Sequence, residues 1–239
     1  MTTGNGTLDA NLPGGRDYGD SVVQLTPGGP SGLSVRDSFT PYNQQWLKDH
    51  DIDLGSSGVL LLPPMVKGGV THMYALVGGK QGYYYMLDRD PSHLTVTPFS
   101  GLGGDDGSAN AYDHVVQTGG LAGAAFTAPA YFNGRVYLAG NYSPIHAYAV
   151  DGSGWTTVGT STTPETYRFP SPTPVISANG LADGIMWAIQ TDSFGGGGPA
   201  VLRAYDPADL SREYYASDQA PGGRDQAGPA IKFSVPTTR

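Results

Sequence analysis

The chain has 239 residues, a formal net charge of −8, 14% charged side chains and no cysteine. The absence of cysteine excludes a disulfide framework, a thiolate zinc site and a cysteine nucleophile. The scarcity of Lys and Arg excludes a phosphate-tracking groove, so nucleic acid is not an expected partner. The 36 glycines and 19 prolines leave few stretches able to hold a helix, which points to an all-β domain rich in turns.

Residues 4–20 are dense in turn formers. Ser21 to Leu25 then reads as a strand ending at Pro27, and Leu33 to Phe39 pairs back on it, giving a partial unit over 4–40. Between Pro41 and Gly58 the stretch YNQQWLKDHDIDLGSS is the best helical candidate, one or two turns around Trp46 and Leu47. Gly58 to Asp90 is the clearest segment. Its runs Val59 to Leu62, Met73 to Val77 and Tyr83 to Leu87, broken at Gly68-Gly69 and Gly78-Gly79, predict three short strands, with Leu94 to Phe99 as a fourth. Four antiparallel strands per unit is what a propeller blade requires.

Residues 101–125 read as one long irregular connection, a length that usually goes with function or disorder. A third unit spans 126–161, with Asn133-Gly134 as a strong hairpin signal, and a fourth spans 172–217. Residues 231–239 begin another, and Ile231 to Pro236 is expected to supply a missing strand to the N-terminal unit. The Asp that closes each third strand recurs at Asp88, Asp151 and Asp206, as in an array of blades with variable loops. The expectation is a single domain over 1–239: a β-propeller of four or five blades with four-stranded antiparallel sheets, either incomplete or closed by its C-terminal strand.

Two phrases give the array a family likeness. Ala147-Tyr148-Ala149-Val150-Asp151-Gly152-Ser153-Gly154-Trp155 and Leu202-Arg203-Ala204-Tyr205-Asp206 resemble the core of the quinoprotein (PQQ-like) β-propeller repeat, and Tyr85-Met86-Leu87-Asp88 is a weaker copy. Over residues 4–232 the chain resembles bacterial proteins that carry such repeats, which are often extracytoplasmic. The resemblance implies that each first strand lines a central channel, and that loops from a fourth strand to the next first strand share one ligand-binding face. It also implies that a quinone-dependent dehydrogenase would use a vicinal Cys pair and a Glu/Asn calcium site. This chain has no Cys and only Glu165 and Glu213, so PQQ is not an expected cofactor.

Asp49-His50-Asp51-Ile52-Asp53-Leu54-Gly55 places acids at alternate positions before a glycine, a pattern open to two readings. Alternate carboxylates can turn toward one calcium ion, and they equally make Asx turns after a short helix. Asp105, Asp106, Asn110, Asp113 and His114 form a second oxygen-rich stretch in the long connection. Gly222-Gly223-Arg224-Asp225 echoes Gly14-Gly15-Arg16-Asp17 and suggests structural ion pairs. The expected calcium ligands are Asp51, Asp53, Asn110, Asp113 and Asp225. The expected catalytic groups, should the site hydrolyse, are Asp113, His114 and His50. His72 and His146 lie in or beside strands and read as structural. No HExxH, G-x-S-x-G, Walker or dinucleotide motif is present.

Met1 to Asp9 carries no secretory signal pattern, and no apolar run is long enough for membrane insertion by a helix. The first functional expectation is a ligand-binding or scaffold module with a small-molecule or protein partner. The alternative is a calcium-dependent hydrolase of lactones such as acyl-homoserine lactones, in which the ion polarises the carbonyl and Asp or His takes a proton.

Overall fold

The computed structural model describes residues 1–28, 32–90, 113, 115–120, 123–156 and 159–238. An N-terminal hairpin pairs β1 (Val22–Pro27) with β2 (Leu33–Phe39). The helix expected after it is α1 (Gln44–Asp49), which buries Leu47.

Three four-stranded meanders follow in chain order. The first holds β3 (Val59–Leu61), β6 (Tyr74–Gly78), β7 (Tyr83–Asp88) and β8 (Gln117–Gly120) in that order. A small hairpin, β4 (Met65–Lys67) and β5 (Val70–His72), leaves this sheet between β3 and β6. It turns at Gly68 and Gly69, both at positive φ, so the stretch that reads in sequence as a polar break is a hairpin of its own.

The second sheet runs β9 (Ala130–Phe132), β10 (Arg135–Ala139), β11 (Ile145–Asp151) and β12 (Gly154–Trp155), with β13 (Ser161–Thr162) also pairing β11. The third runs β14 (Val175–Asn179), β15 (Ala182–Gln190), β16 (Val201–Asp206) and β17 (Asp209–Ala216). All pairings within these sheets are antiparallel.

The period-two alternation of the middle strands explains why the sheets stack like propeller blades. In β6 and β7, Tyr74, Leu76, Tyr84 and Met86 face one core, and Ala75, Val77, Tyr85 and Leu87 face another. In β10, Val136 and Leu138 join the first of these cores while Tyr137 and Ala139 join a third, shared with Met186, Ala188 and Tyr205 of the next sheet. Each core therefore lies between consecutive sheets, and both faces of the middle sheets are apolar. The architecture is an all-β row of propeller-type blades, and among the described residues no strand joins its two ends.

Two expectations are corrected. The strand beside β7 is Gln117–Gly120, inside the stretch read as irregular, whereas Leu94 to Phe99 lies outside the described residues. Gly119 in this strand makes room for a neighbouring ring. A Cβ there would meet the Trp155 indole at 3.0 Å, and the Gln117 side chain both donates to the Trp155 carbonyl and accepts its N–H, at 3.0 and 2.8 Å. Ile231 to Pro236 forms no strand. Bonds between Ala200 and Gly228 and between Ala230 and Gly198 hold the tail to the third sheet. Val235 and Pro236 then line a groove of about 460 Å³ with Ser177, Trp187, Ile189 and Leu202, far in sequence from the N-terminal hairpin they were expected to complete.

Candidate functional site

In an antiparallel meander the connections before the first strand and between the second and third leave from one end. The three sheets bring these connections together through backbone bonds. The Ala125 N–H donates to Gly79, the Asn141 N–H to Ala124, and the Ser171 N–H to the Asn141 side chain, at 3.0, 2.9 and 3.1 Å. Ser56 and Ser57 hydroxyls donate to the carbonyls of Ala125 and Thr127. Glycines permit this approach: a Cβ on Gly123 would lie 1.9 Å from the Asn141 carbonyl oxygen. The loops thus make one continuous, locked face.

Asp51 and Asp53 do meet on this face, but around a cation of the protein's own. The Lys80 ammonium bonds the Asp51 carbonyl at 2.9 Å and its carboxylate at 3.2 Å, and pairs closely with the Asp53 carboxylate. Asn5 adds its N–H to Asp53 at 2.8 Å and its side-chain amide to Asp51 at 3.2 Å. Burial alone would raise the Asp53 carboxyl, but the Lys80 contact and the Asn5 N–H outweigh it and hold it below the usual carboxylate range. In the folded chain the Lys80 ammonium thus stands between the Asp51 and Asp53 carboxylates.

Beside this cluster Asp20 is fully buried, at a positive φ of 48°. Its Oδ1 accepts the Leu54 N–H at 3.1 Å, while Oδ2 finds no hydrogen bond of good geometry, although the Gln44 side chain is near enough to lower its pKa in part. Burial pushes the carboxyl above its ordinary value, and the neighbouring Asp53 charge adds to that.

The other predicted residues are placed apart. Asp113 accepts the Tyr42 N–H at 2.7 Å, tying the start of the β8 segment to the chain after β2. Exposed His50 donates from Nδ1 to the Trp46 carbonyl at 2.8 Å and stacks on that indole. Asp225 is chelated by Arg224 and accepts the Tyr215 hydroxyl at 2.7 Å, and the Arg224 contact foremost pulls its carboxyl well down. Asn110, His114, Asp105 and Asp106 lie outside the described residues. No group of three or more His, Asp or Glu able to hold a metal occurs among the described residues. His72 and His146 are engaged within the fold, at Asp88 and Ser143 respectively.

The densest polar network was not picked out from the sequence. Arg203, 9% exposed at its side chain, bonds Glu165 at 3.1 Å, Glu213 at 2.7 Å and Gln190 at 2.9 Å. Glu165 also accepts the Tyr205 hydroxyl at 2.5 Å, and Tyr205 meets Tyr167 at 2.7 Å. Burial first, then the adjoining phenol and carboxylate, pushes Tyr205 far up, so both tyrosines are neutral hydrogen-bonding groups. The network fastens the loop before β14 onto β16 and β17. Its signal was available: the only two glutamates of an Asp-rich chain, and a charged residue two places from Tyr205 on the same strand face.

No family model matches the chain, and no curated protein matches it in sequence. Among solved structures it is similar to the computationally designed Ika4 protein, at 12% identity and TM-score 0.38, covering 73% of this chain and 80% of that one. It is similar to the computationally designed Ika8 protein at 12% and 0.39, covering 77% and 40%. It is also similar to BamB from Moraxella catarrhalis at 12% and 0.41, covering 82% and 50%. Likenesses this distant carry no weight on function, and the propeller-type reading stands on the strand order and the inter-sheet cores. No helix among the described residues is long and apolar enough to cross a membrane.

Proposed function

We propose that the chain is a binding or scaffold module that presents the locked loop face to a small molecule or protein partner. One observation supports this reading: among the described residues, the predicted ligands Asp51, Asp53 and Asp225 are paired with the protein's own cations, Lys80 and Arg224, and Asp113 positions backbone. A surface held in this way suits presentation more than turnover, which needs an acid or base with a lone pair free to accept a proton.

Calcium-dependent hydrolysis of a lactone is the alternative, favoured by the buried Asp20 carboxylate beside Asp53, an incompletely satisfied oxygen that a cation would relieve. The two are separated by thermal unfolding in chelator, magnesium and calcium, on the parent and Asp51→Ala, with a lactone-hydrolysis assay on the same samples. The module reading expects no calcium-dependent rise and no turnover. Calcium at about a hundred times Kd stabilises a native-state site by roughly 2.7 kcal/mol. A rise of that order, lost in Asp51→Ala and accompanied by turnover, would overturn the proposal.

A further inference from the structure

The loop face carries an aromatic cluster drawn from three connections and the tail. Phe126 precedes β9, Phe169 precedes β14, Phe194 lies between β15 and β16, and Phe233 lies in the tail. Their ring centroids stand 5.0 Å apart for Phe126 and Phe169, and 6.0 Å for Phe169 with each of Phe194 and Phe233. The contacts of Phe169 are edge-to-face, so the rings meet at angles rather than stacking flat. Phe126, Phe169 and Phe194 are half-buried, and Phe233 is 51% exposed.

Exposed Lys232 lies over this cluster. Its ammonium nitrogen lies 5.5 Å from the Phe233 centroid, 5.8 Å from Phe194 and 6.0 Å from Phe169. Among the described residues it pairs with no carboxylate. Phe233 has a φ of 66°, rare for a bulky side chain and a mark of local strain that surrounding contacts must hold in place.

We infer that these phenylalanines form a site for a quaternary ammonium head group, with Lys232 as its built-in occupant. The inference rests on the module reading and names a ligand class for it. Three distances carry it. An ammonium nitrogen in contact with a ring face stands about 3.5–4 Å away, yet Lys232 stands 5.5 to 6.0 Å from all three rings. The primary ammonium therefore stands short of contact with any of the three ring faces. A trimethylammonium group at the same place, with carbons one bond beyond its nitrogen, closes that gap and keeps the charge near the ring faces, the arrangement by which aromatic cages bind choline-like cations. The net charge of −8 favours a cationic ligand at long range.

The test follows the methyl proton signal of tetramethylammonium by NMR, because ring currents shift it upfield inside an aromatic site. Lys232→Ala should give a saturable upfield shift, and the parent should bind at least ten-fold more weakly because its own lysine competes. Phe169→Leu or Phe194→Leu in the Lys232→Ala background should weaken binding ten-fold or more. Unfolding midpoints check that each variant is folded; Phe194→Leu, on a short surface turn, serves if Phe169→Leu is not.

Absence of saturable binding to Lys232→Ala, or equal binding by the parent, overturns the inference. So does equal binding of 3,3-dimethylbutanol, the neutral isostere of choline, which would mark an apolar hollow with no preference for charge. Failure here leaves the module reading standing, whereas calcium-dependent turnover would remove that reading and leave the aromatic result intact.

Discussion

Replacing Arg203 by Met should be among the most damaging single changes to the fold. The guanidinium is 9% exposed at its side chain, and its partners Glu165 and Glu213 are 21% and 18% exposed. At an effective dielectric near 20, each contact at about 3 Å has a gross attraction of roughly 5 kcal/mol, much of it cancelled by the cost of bringing the ions out of water. Methionine keeps the stem volume but leaves two half-buried carboxylates facing each other. Breaking such a network by removing one partner costs about 3–5 kcal/mol. For a domain of this size each kcal/mol moves Tm by about 2–4 °C, so the fall should be about 6–20 °C. The triple variant Arg203→Met, Glu165→Gln, Glu213→Gln removes the stranded charges and keeps an acceptor for Tyr205. It should recover most of the loss. Urea unfolding of the three proteins measures this. A cost below about 1 kcal/mol for the single variant, as for an exposed pair, would refute the reasoning. A triple variant as unstable as the single one would put the effect in lost packing of the arginine stem instead.

Lys80→Met should cost about 1–2 kcal/mol, between the exposed and buried limits for ion pairs, since Lys80 and Asp53 are 23% and 19% exposed; urea midpoints read it. Asp20→Asn should stabilise at neutral pH, because asparagine tolerates the left-handed backbone and still accepts the Leu54 N–H. The folded Asp20 pKa is raised, so its penalty is fully present above that pKa and is relieved as pH falls through it; the variant's gain should shrink in acid, and a gain flat with pH would contradict the assignment. Asp53 has the opposite sign. Its lowered pKa gives stability that is present above the unfolded value and lost as pH falls through the folded one, so Asp53→Asn should cost stability at neutral pH and progressively less in acid. Gly123→Ala should cost about 1–3 kcal/mol by forcing the Asn141 backbone away, with amide exchange accelerating at Ala125 and Asn141 first.

Features that depend on neighbours along the chain are legible in the sequence. Alternating apolar runs bounded by glycine place β6, β7, β10, β11 and the strands of the third sheet, because side-chain period and turn chemistry are local properties. The short helix around Leu47 was legible for the same reason. Features set by partners far away in sequence emerge only in the fold. Gln117–Gly120 has weak strand propensity and becomes a strand because the β7 edge and Trp155 are there to receive it. Ile231 to Pro236 has the composition of a strand, yet its end, Val235 and Pro236, settles in a groove where Trp187 and Leu202 of the third sheet offer an apolar surface. Asp51 and Asp53 read as ligands because alternation can aim carboxylates at one point. Which cation stands there depended on the turn that brings Lys80 back to them, a contact 27 to 29 residues away in sequence. The aromatic cluster and the Arg203 network gather residues from separate strands, loops and the tail, and no short window along the chain contains them.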